Sequence, residues 1–220
     1  MVDPADSAAL RRAALTAHRA ALLACRACPR VVPPVVAGPP NPSRIVLLGQ
    51  APGPREGGLG RPFAWTAGRT LFRWFGELGV DEATFRERVY ITAVLRCFPG
   101  KGAAGGGDRV PAPDEIARCG TWIAAELAIL QPTLLIAVGK LAITQVAGRK
   151  IERLDAVVGP LHRGRFHGVD LDWVAMPHPS GLSAWPKVEP GRSMLREALG
   201  TLEGHPTWRE VMYLTPRPAP

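Results

Sequence analysis

Residues 44–53 read RIVLLGQAPG, and this short stretch decides the fold class. After Arg44, residues 45–48 form a short apolar run with two β-branched side chains, which is typical of a strand buried on both faces. Gly49 ends the run and opens a loop that carries a glutamine, a proline and a second glycine. A strand that ends in such a loop indicates an α/β protein, because ligands of open parallel sheets bind beyond the carboxyl ends of the strands.

The remainder of the chain alternates strand and helix patterns. Further short apolar runs predict strands at residues 89–95, 133–138 and 172–176. Helical periodicity predicts helices at residues 7–24, 67–79, 113–131, 140–148 and 191–202. This alternation favours an α/β fold with a central, mainly parallel four-stranded sheet covered on both faces. A length of 220 residues, 46% of them hydrophobic, suits one domain over residues 1–220.

Net charge and hydropathy indicate which classes of molecule the protein binds. The net charge of +8 favours a polyanionic partner, although the excess of arginine over lysine also fits a G·C-rich coding bias. The first thirty residues contain no uninterrupted apolar run of the kind that a signal peptide or a membrane span needs. We therefore expect a soluble, cytoplasmic protein without membrane contact. An aromatic content of 6% favours a compact site over a broad stacking platform.

The four cysteines of the chain are spaced as ligands of one site. Cys25 and Cys28 form a clip with two intervening residues, while Cys97 and Cys119 follow singly and far downstream. The clip allows two thiolates to reach one ion or one cluster. A zinc ribbon would normally bring its second pair as another clip, so the spacing favours an iron–sulfur cluster over zinc. A disulfide pair or buried free thiols are the third interpretation.

Four short motifs, together with the cysteines, resemble a known family. The motifs are GQAPG at residues 49–53, GRPF at 60–63, AG at 67–68 and HPS at 178–180. Over about residues 25–195, this combination is similar to the iron–sulfur uracil-DNA glycosylases of bacteria and archaea. The resemblance implies a three-layer α/β/α fold, a structural [4Fe-4S] cluster on the four cysteines, and excision of a deaminated base, uracil first among them, from DNA.

The chain departs from the family pattern at three chemical positions. Gln50 stands where the thermostable branch has glutamate, and Thr66 stands where a second branch has aspartate. Ala93 aligns with the asparagine that reads the uracil edge. The acidic activators of water are thus missing from the motifs, which indicates a divergent branch and leaves the choice of base open.

Cleavage of an N-glycosidic bond defines the catalytic candidates. The base leaves as an anion, so a donor aimed at its oxygen stabilises the transition state. His178, in a proline-bounded loop after the last strand, is the candidate donor. Gln50 is the candidate for orienting the attacking water, because an amide donates and accepts hydrogen bonds without ionising.

The remaining candidates bind the substrate. Gly49 and Gly53 would let backbone N–H groups approach a flipped nucleotide, and Phe63 could stack on the extruded base. Ser180 would hold a phosphate, and Leu182 would fill the gap left in the duplex. The predicted pocket is completed by Ala51 and Pro52. Trp65 and Trp185 flank the motifs as candidates for the DNA surface.

The sequence therefore predicts a monomeric, monofunctional glycosylase whose partner is DNA containing a deaminated base, and whose product is an abasic site. Two alternatives stay open at this point. One is a glycosylase for hypoxanthine or xanthine, and the other is a non-catalytic iron–sulfur protein that binds lesions without cutting.

Overall fold

The computed structural model describes residues 4–102, 107–181 and 183–214. The strands within these ranges are β1 (Ile45–Gly49), β2 (Tyr90–Ala93), β3 (Leu134–Val138), β4 (Leu161–Phe166) and β5 (Val169–Met176). The α-helices are α1 (Pro4–Leu23), α2 (Glu56–Leu59), α3 (Thr66–Gly76), α4 (Glu82–Arg88), α5 (Pro113–Leu130), α6 (Lys140–Ala147), α7 (Gly191–Gly204) and α8 (Pro206–Arg209).

The strands form one sheet in the order β2-β1-β3-β5-β4. The first four in that order run parallel, with Leu47 paired to both Ile91 and Ile136. Every residue of β1 and β3 is buried, as their continuous apolar sequences require when helices cover both faces of a parallel sheet. The prediction of an α/β fold with three layers, α/β/α, is confirmed.

The sheet has five strands in the described part of the chain, so the predicted number of four was wrong. The additional strand, β4, pairs antiparallel with β5 at the sheet edge and leaves most of its side chains exposed. Its sequence contains a histidine, two arginines and a glycine, so it is not an apolar run. An edge strand can have this composition because at most one of its faces is buried. The two strands meet in a tight hairpin where His167 (φ 46°) and Gly168 (φ 84°) both have positive φ.

Helix α1 packs on α5, and the chain then leaves the helix before the cysteine clip. The proline-rich segment that follows runs beside the chain after β2, where the N–H of Val36 donates to the Arg96 carbonyl and that of Val32 to the Phe98 carbonyl. The clip is thereby brought towards Cys97. No helix among the described residues is both long and apolar enough to cross a lipid bilayer.

A buried ionic network ties α1, β2 and α5 together around Glu126, which is 1% exposed and lies 3.3 Å from Nε2 of His18 in α1. The Glu126 carboxylate accepts hydrogen bonds from Tyr90 Oη (2.8 Å), Thr92 Oγ1 (2.9 Å) and Arg96 Nη2 (2.5 Å). Burial alone would raise the pKa of Glu126, but Arg96 and these donors hold it well below the ordinary value. Arg96 also donates from Nε to the Ala93 carbonyl (2.9 Å), so the network fixes the carboxyl end of β2.

Candidate active site

A cavity of about 650 Å³ opens at the carboxyl ends of β1 and β2. Eight of the residues that the sequence assigned to catalysis or substrate binding line it: Gly49, Gln50, Ala51, Pro52, Gly53, Phe63, His178 and Ser180. Leu182 lies outside the described residues. Segments that are far apart in sequence therefore meet at one site, which is where a parallel sheet places its ligands.

His178 is partly buried, and its ring is fixed by two contacts. The backbone N–H of Ser180 donates to its Nδ1 at 3.2 Å, so Nε2 carries the proton in the neutral ring. The ring also lies against Gly139 at the start of α6, where an added Cβ would come within 3.0 Å of His178 Cδ2. Burial lowers the pKa of His178, and the negative charge of Asp108 partly offsets this shift. The site therefore holds a neutral imidazole with Nε2–H as its donor.

Phe63 is held in a strained conformation beside the first strand. Its backbone has φ 52°, in the left-handed region that residues other than glycine rarely adopt. Its ring packs on Gly49, where a Cβ would come within 2.9 Å of Cζ, and its carbonyl lies where a Cβ on Gly68 would be. The two glycines allow the close approach that places the ring in the cavity.

Arg86 of α4 holds the Phe63 loop from behind. Its guanidinium donates to the Pro62 carbonyl (2.9 Å) and to the Phe63 carbonyl (2.8 Å). Glu82 accepts from its Nε at 2.7 Å, and the guanidinium lies 4.5 Å from the centre of the Phe72 ring. The forked geometry of arginine thus fixes both carbonyls at once.

Gln50 leaves its side chain available to a ligand. Its carbonyl accepts the N–H of Leu95 (3.0 Å), which continues the pairing of β1 with β2 past the end of the strands. Among the described residues, the Gln50 amide group has no hydrogen-bond partner, while the residue lines the cavity. The geometry therefore permits the predicted contact with water.

Sequence reasoning missed Glu56, a buried carboxylate in the same cavity. Its Oε2 accepts the N–H of Gly53 at 3.3 Å. Burial raises the pKa of Glu56, and the backbone N–H groups of Gly53, Phe63 and Ala64 partly counter that shift. Glu56 therefore connects the loop after β1 to the loop that carries Phe63. A glutamate between an arginine and two glycines normally indicates exposed surface, so no sequence pattern pointed to this position.

Asp108 is a second acidic residue that lines the cavity and was missed. Lys101 donates to its Oδ1 at 2.7 Å, and the two residues also form an isolated antiparallel bridge. The five glycines of residues 100–108 predict a surface loop, and nothing in their sequence indicates a ligand site. Only the folded chain brings Asp108 within electrostatic reach of His178.

The positions that depart from the family pattern also face the cavity. Ala93 lines it and presents only a methyl group, and Thr66 lies at its exposed rim. Trp65 stands at the same rim, 42% exposed. Trp185 is partly buried and packs against the hydrophobic core, and its place at a DNA surface stays a prediction.

The four cysteines line one small cavity of about 80 Å³. No two of them are joined in a disulfide in this structure. Burial, together with the charges of the other three cysteines, raises the pKa of Cys97 to about 11. Four converging sulfur donors suit a thiolate-bound metal group, although among the described residues no three potential ligands have the arrangement of a single-ion site.

The fold and the cavity together define a three-layer α/β/α protein with a ligand site at the carboxyl edge of its sheet. The family model of the Uracil DNA glycosylase superfamily matches residues 35–203. A type-4 uracil-DNA glycosylase of Pyrobaculum aerophilum is 32% identical over 147 residues, which are 66% of this chain and 70% of the relative. A type-4 uracil-DNA glycosylase of Thermotoga maritima is 35% identical over 144 residues, 59% of this chain and 70% of the relative.

A type-5 uracil-DNA glycosylase of Pyrobaculum aerophilum is more distantly similar, with 29% identity over 111 residues, 46% of each chain. The chain therefore belongs to the uracil DNA glycosylase superfamily. This confirms the resemblance that its motifs carried.

Proposed function

We propose that this protein is a DNA repair glycosylase that hydrolytically excises uracil from DNA and leaves an abasic site. The observation that carries the proposal is the fixed tautomer of His178, whose Nδ1 accepts from Ser180 and whose Nε2–H is left to donate in the cavity. The family match and the type-4 relatives support the same activity.

In the proposed reaction, the bond between the sugar C1′ and the base nitrogen breaks, and its electron pair leaves with the base. Negative charge then develops on the base oxygen, where a hydrogen bond from His178 Nε2 is worth about 2.7–4 kcal/mol. Phe63 stacks on the flipped base, and Ser180 contacts the adjacent phosphate. Leu182, outside the described residues, is the candidate for filling the gap in the duplex.

Water completes the reaction by bonding to C1′. Gln50 orients that water through its free amide group, since the motif supplies no acid at this position. Asp108, across the same cavity, accepts the proton that the water releases. Lys101 holds the Asp108 carboxylate in place through their ion pair.

Excision of deaminated purines is the second candidate activity, and Ala93 favours it. A methyl group in place of an amide removes hydrogen bonds that would discriminate between bases, and such a loss can relax selectivity by about 10⁴-fold. The cavity volume of about 650 Å³ does not restrict the bound base to the size of a pyrimidine.

The four cysteines are the proposed ligands of a [4Fe-4S] cluster with a structural role. When bound, the cluster would link the loop after α1, the chain after β2 and helix α5, without transferring electrons to the reaction. The purified protein should then be brown and contain iron and acid-labile sulfide in near-equal amounts. One zinc per chain would contradict this assignment.

The proposed enzyme acts as a single-domain monomer on cellular DNA, in the cytoplasm. Oligonucleotides with one uracil, hypoxanthine or xanthine, followed by alkaline strand scission, test the activity. We expect cleavage at uracil, with weaker cleavage at one or both purines. Binding of these oligonucleotides without any scission would instead identify a non-catalytic lesion-binding protein.

A further inference from the structure

An exposed aromatic ring stands at the mouth of the active-site cavity. Trp65 is 42% exposed although tryptophan usually buries most of its large surface. It lines the cavity and immediately precedes α3, with an extended backbone at φ −120°. The proposed base excision gives this ring no role.

Two arginines lie over the ring. The guanidinium carbon of Arg55 is 4.7 Å from the centre of the Trp65 ring, and that of Arg69 is 5.7 Å from it. Both side chains are exposed, and neither forms an ion pair with any acid in the described ranges. Two uncompensated cations therefore flank one exposed aromatic ring.

This arrangement has the chemistry of a nucleotide-binding surface. Every nucleobase has a π-face that can stack on an aromatic side chain, and a guanidinium matches the geometry of a phosphate. The ring lies at the rim of the cavity, so the base that it contacts would be a neighbour of the one inside. A protein partner would need a broader apolar surface than one ring between two charges.

We propose that Trp65, with Arg55 and Arg69, forms a stacking site for one unpaired nucleobase adjacent to the excised nucleotide. This assignment rests on the proposed function, which places the damaged DNA strand in the cavity. It adds that the protein prefers single-stranded or locally opened DNA. In a closed duplex, the neighbouring base is already stacked and paired, and its π-face is covered. The contribution of Trp65 should therefore be larger on single-stranded DNA.

The test uses undamaged single-stranded oligonucleotides, so that binding is measured without any excision. Trp65→Ala should weaken their affinity about 5- to 150-fold, the equivalent of about 1–3 kcal/mol for one stacked base. Trp65→Phe keeps a π-face and should recover most of that loss. Both variants change an exposed side chain, and circular dichroism with thermal melting would verify that they fold.

The arginines are tested by the salt dependence of the same affinity. Arg55→Gln and Arg69→Gln should each lower the slope of log K against log salt by about 0.7 on single strands. Arg149→Gln is the matched control, because Arg149 is exposed after the end of α6 and has no ring contact among the described residues. That control should leave both affinity and slope unchanged.

Three outcomes would overturn the stacking site. They are an unchanged affinity in Trp65→Ala, an equal loss in Trp65→Ala and Trp65→Phe, and a loss on fully paired duplex as large as that on single strands. Failure of the proposed function is a separate result: the wild-type protein would show Trp65-dependent binding but release no base from any damaged oligonucleotide.

Discussion

At the scale of single residues, burial sets the protonation of one imidazole, and a neighbouring charge opposes it. His178 lies in partly buried surroundings that lower its pKa below the ordinary 6.5, and Asp108 is the neighbour that favours the charged ring. Protonation of Nδ1 would place a hydrogen against the N–H of Ser180 and remove the contact that fixes the ring. The neutral form is therefore the competent one at neutral pH.

Removal of the Asp108 charge should lower the pKa of His178 further, because the imidazolium loses its nearby anion. We expect Asp108→Asn to shift the His178 ring resonances to a lower titration midpoint by nuclear magnetic resonance, with His178→Ala used for assignment. Lys101→Met removes the cation paired with Asp108 and should shift the midpoint upward. A midpoint that does not respond to either change would show that Asp108 does not act on this ring.

The residues missed by sequence reasoning share a physical cause. Glu56 begins the short helix α2 and Asp108 ends a glycine-rich segment, and a charged side chain in either setting normally indicates solvent. Their position in the cavity depends on how loops from distant parts of the chain meet, which local sequence does not encode. His178, Gln50 and Phe63 were predicted because strand ends and motif spacing place them at the sheet edge. Their chemical roles stay predictions.

At the scale of elements, α4 positions the ring of Phe63 without touching a substrate. Arg86→Met would remove the two hydrogen bonds that hold the Pro62 and Phe63 carbonyls. Bonds from a charged donor are each worth about 1.5–3 kcal/mol, and a displacement of about 1 Å can cost about 10²-fold in rate. We expect a single-turnover rate about 10²-fold lower, together with reduced thermal stability.

The same helix supplies the control for that measurement. Arg88 donates to the carbonyls of Val211 and Met212, at 2.8 and 3.0 Å, near the other end of the described chain. Arg88→Met should therefore lower stability by a similar amount and leave the rate nearly unchanged. If both variants lose the same activity, α4 supports the fold in general and does not position Phe63.

The buried central strands could be predicted from the sequence, whereas the edge strand could not. The apolar runs at β1 and β3 predicted buried central strands, and both lie wholly in the core. Strand β4 was missed because its LHRGRF sequence alternates little and leaves most positions in solvent. Its hydrogen bonds come from β5, so pairing, not composition, makes it a strand.

At the scale of the whole molecule, the Glu126 network links the helices that flank the cysteines to the strand that borders the active site. Its carboxylate has a pKa held far below 4.5 in the folded protein by Arg96 and the hydrogen bonds, against the opposing effect of burial. A carboxyl group whose pKa is lowered by folding stabilises the fold at pH values above its pKa in the unfolded chain. That contribution is lost as the pH falls to the pKa of the group in the folded protein.

Glu126→Gln should therefore lower the free energy of unfolding at pH 7 by about 3–5 kcal/mol, because it leaves Arg96 buried without a counter-charge. The difference from wild type should shrink below pH 4.5, as measured by denaturant unfolding at several pH values. Glu152→Gln, in an exposed pair with Lys150, is the control and should cost about 0.2–1 kcal/mol. A difference that stays constant with pH would contradict the network as the cause.

In the proposed mechanism His178 stabilises the departing base, and the rate of base release tests this role. Single-turnover release of uracil from a labelled oligonucleotide is compared for wild type and His178→Ala at saturating enzyme, with DNA affinity measured in parallel. We expect a rate about 10²- to 10³-fold lower in the variant, with an affinity within several-fold of wild type, because the charge appears only in the transition state. An unchanged rate of base release in His178→Ala would contradict the mechanism.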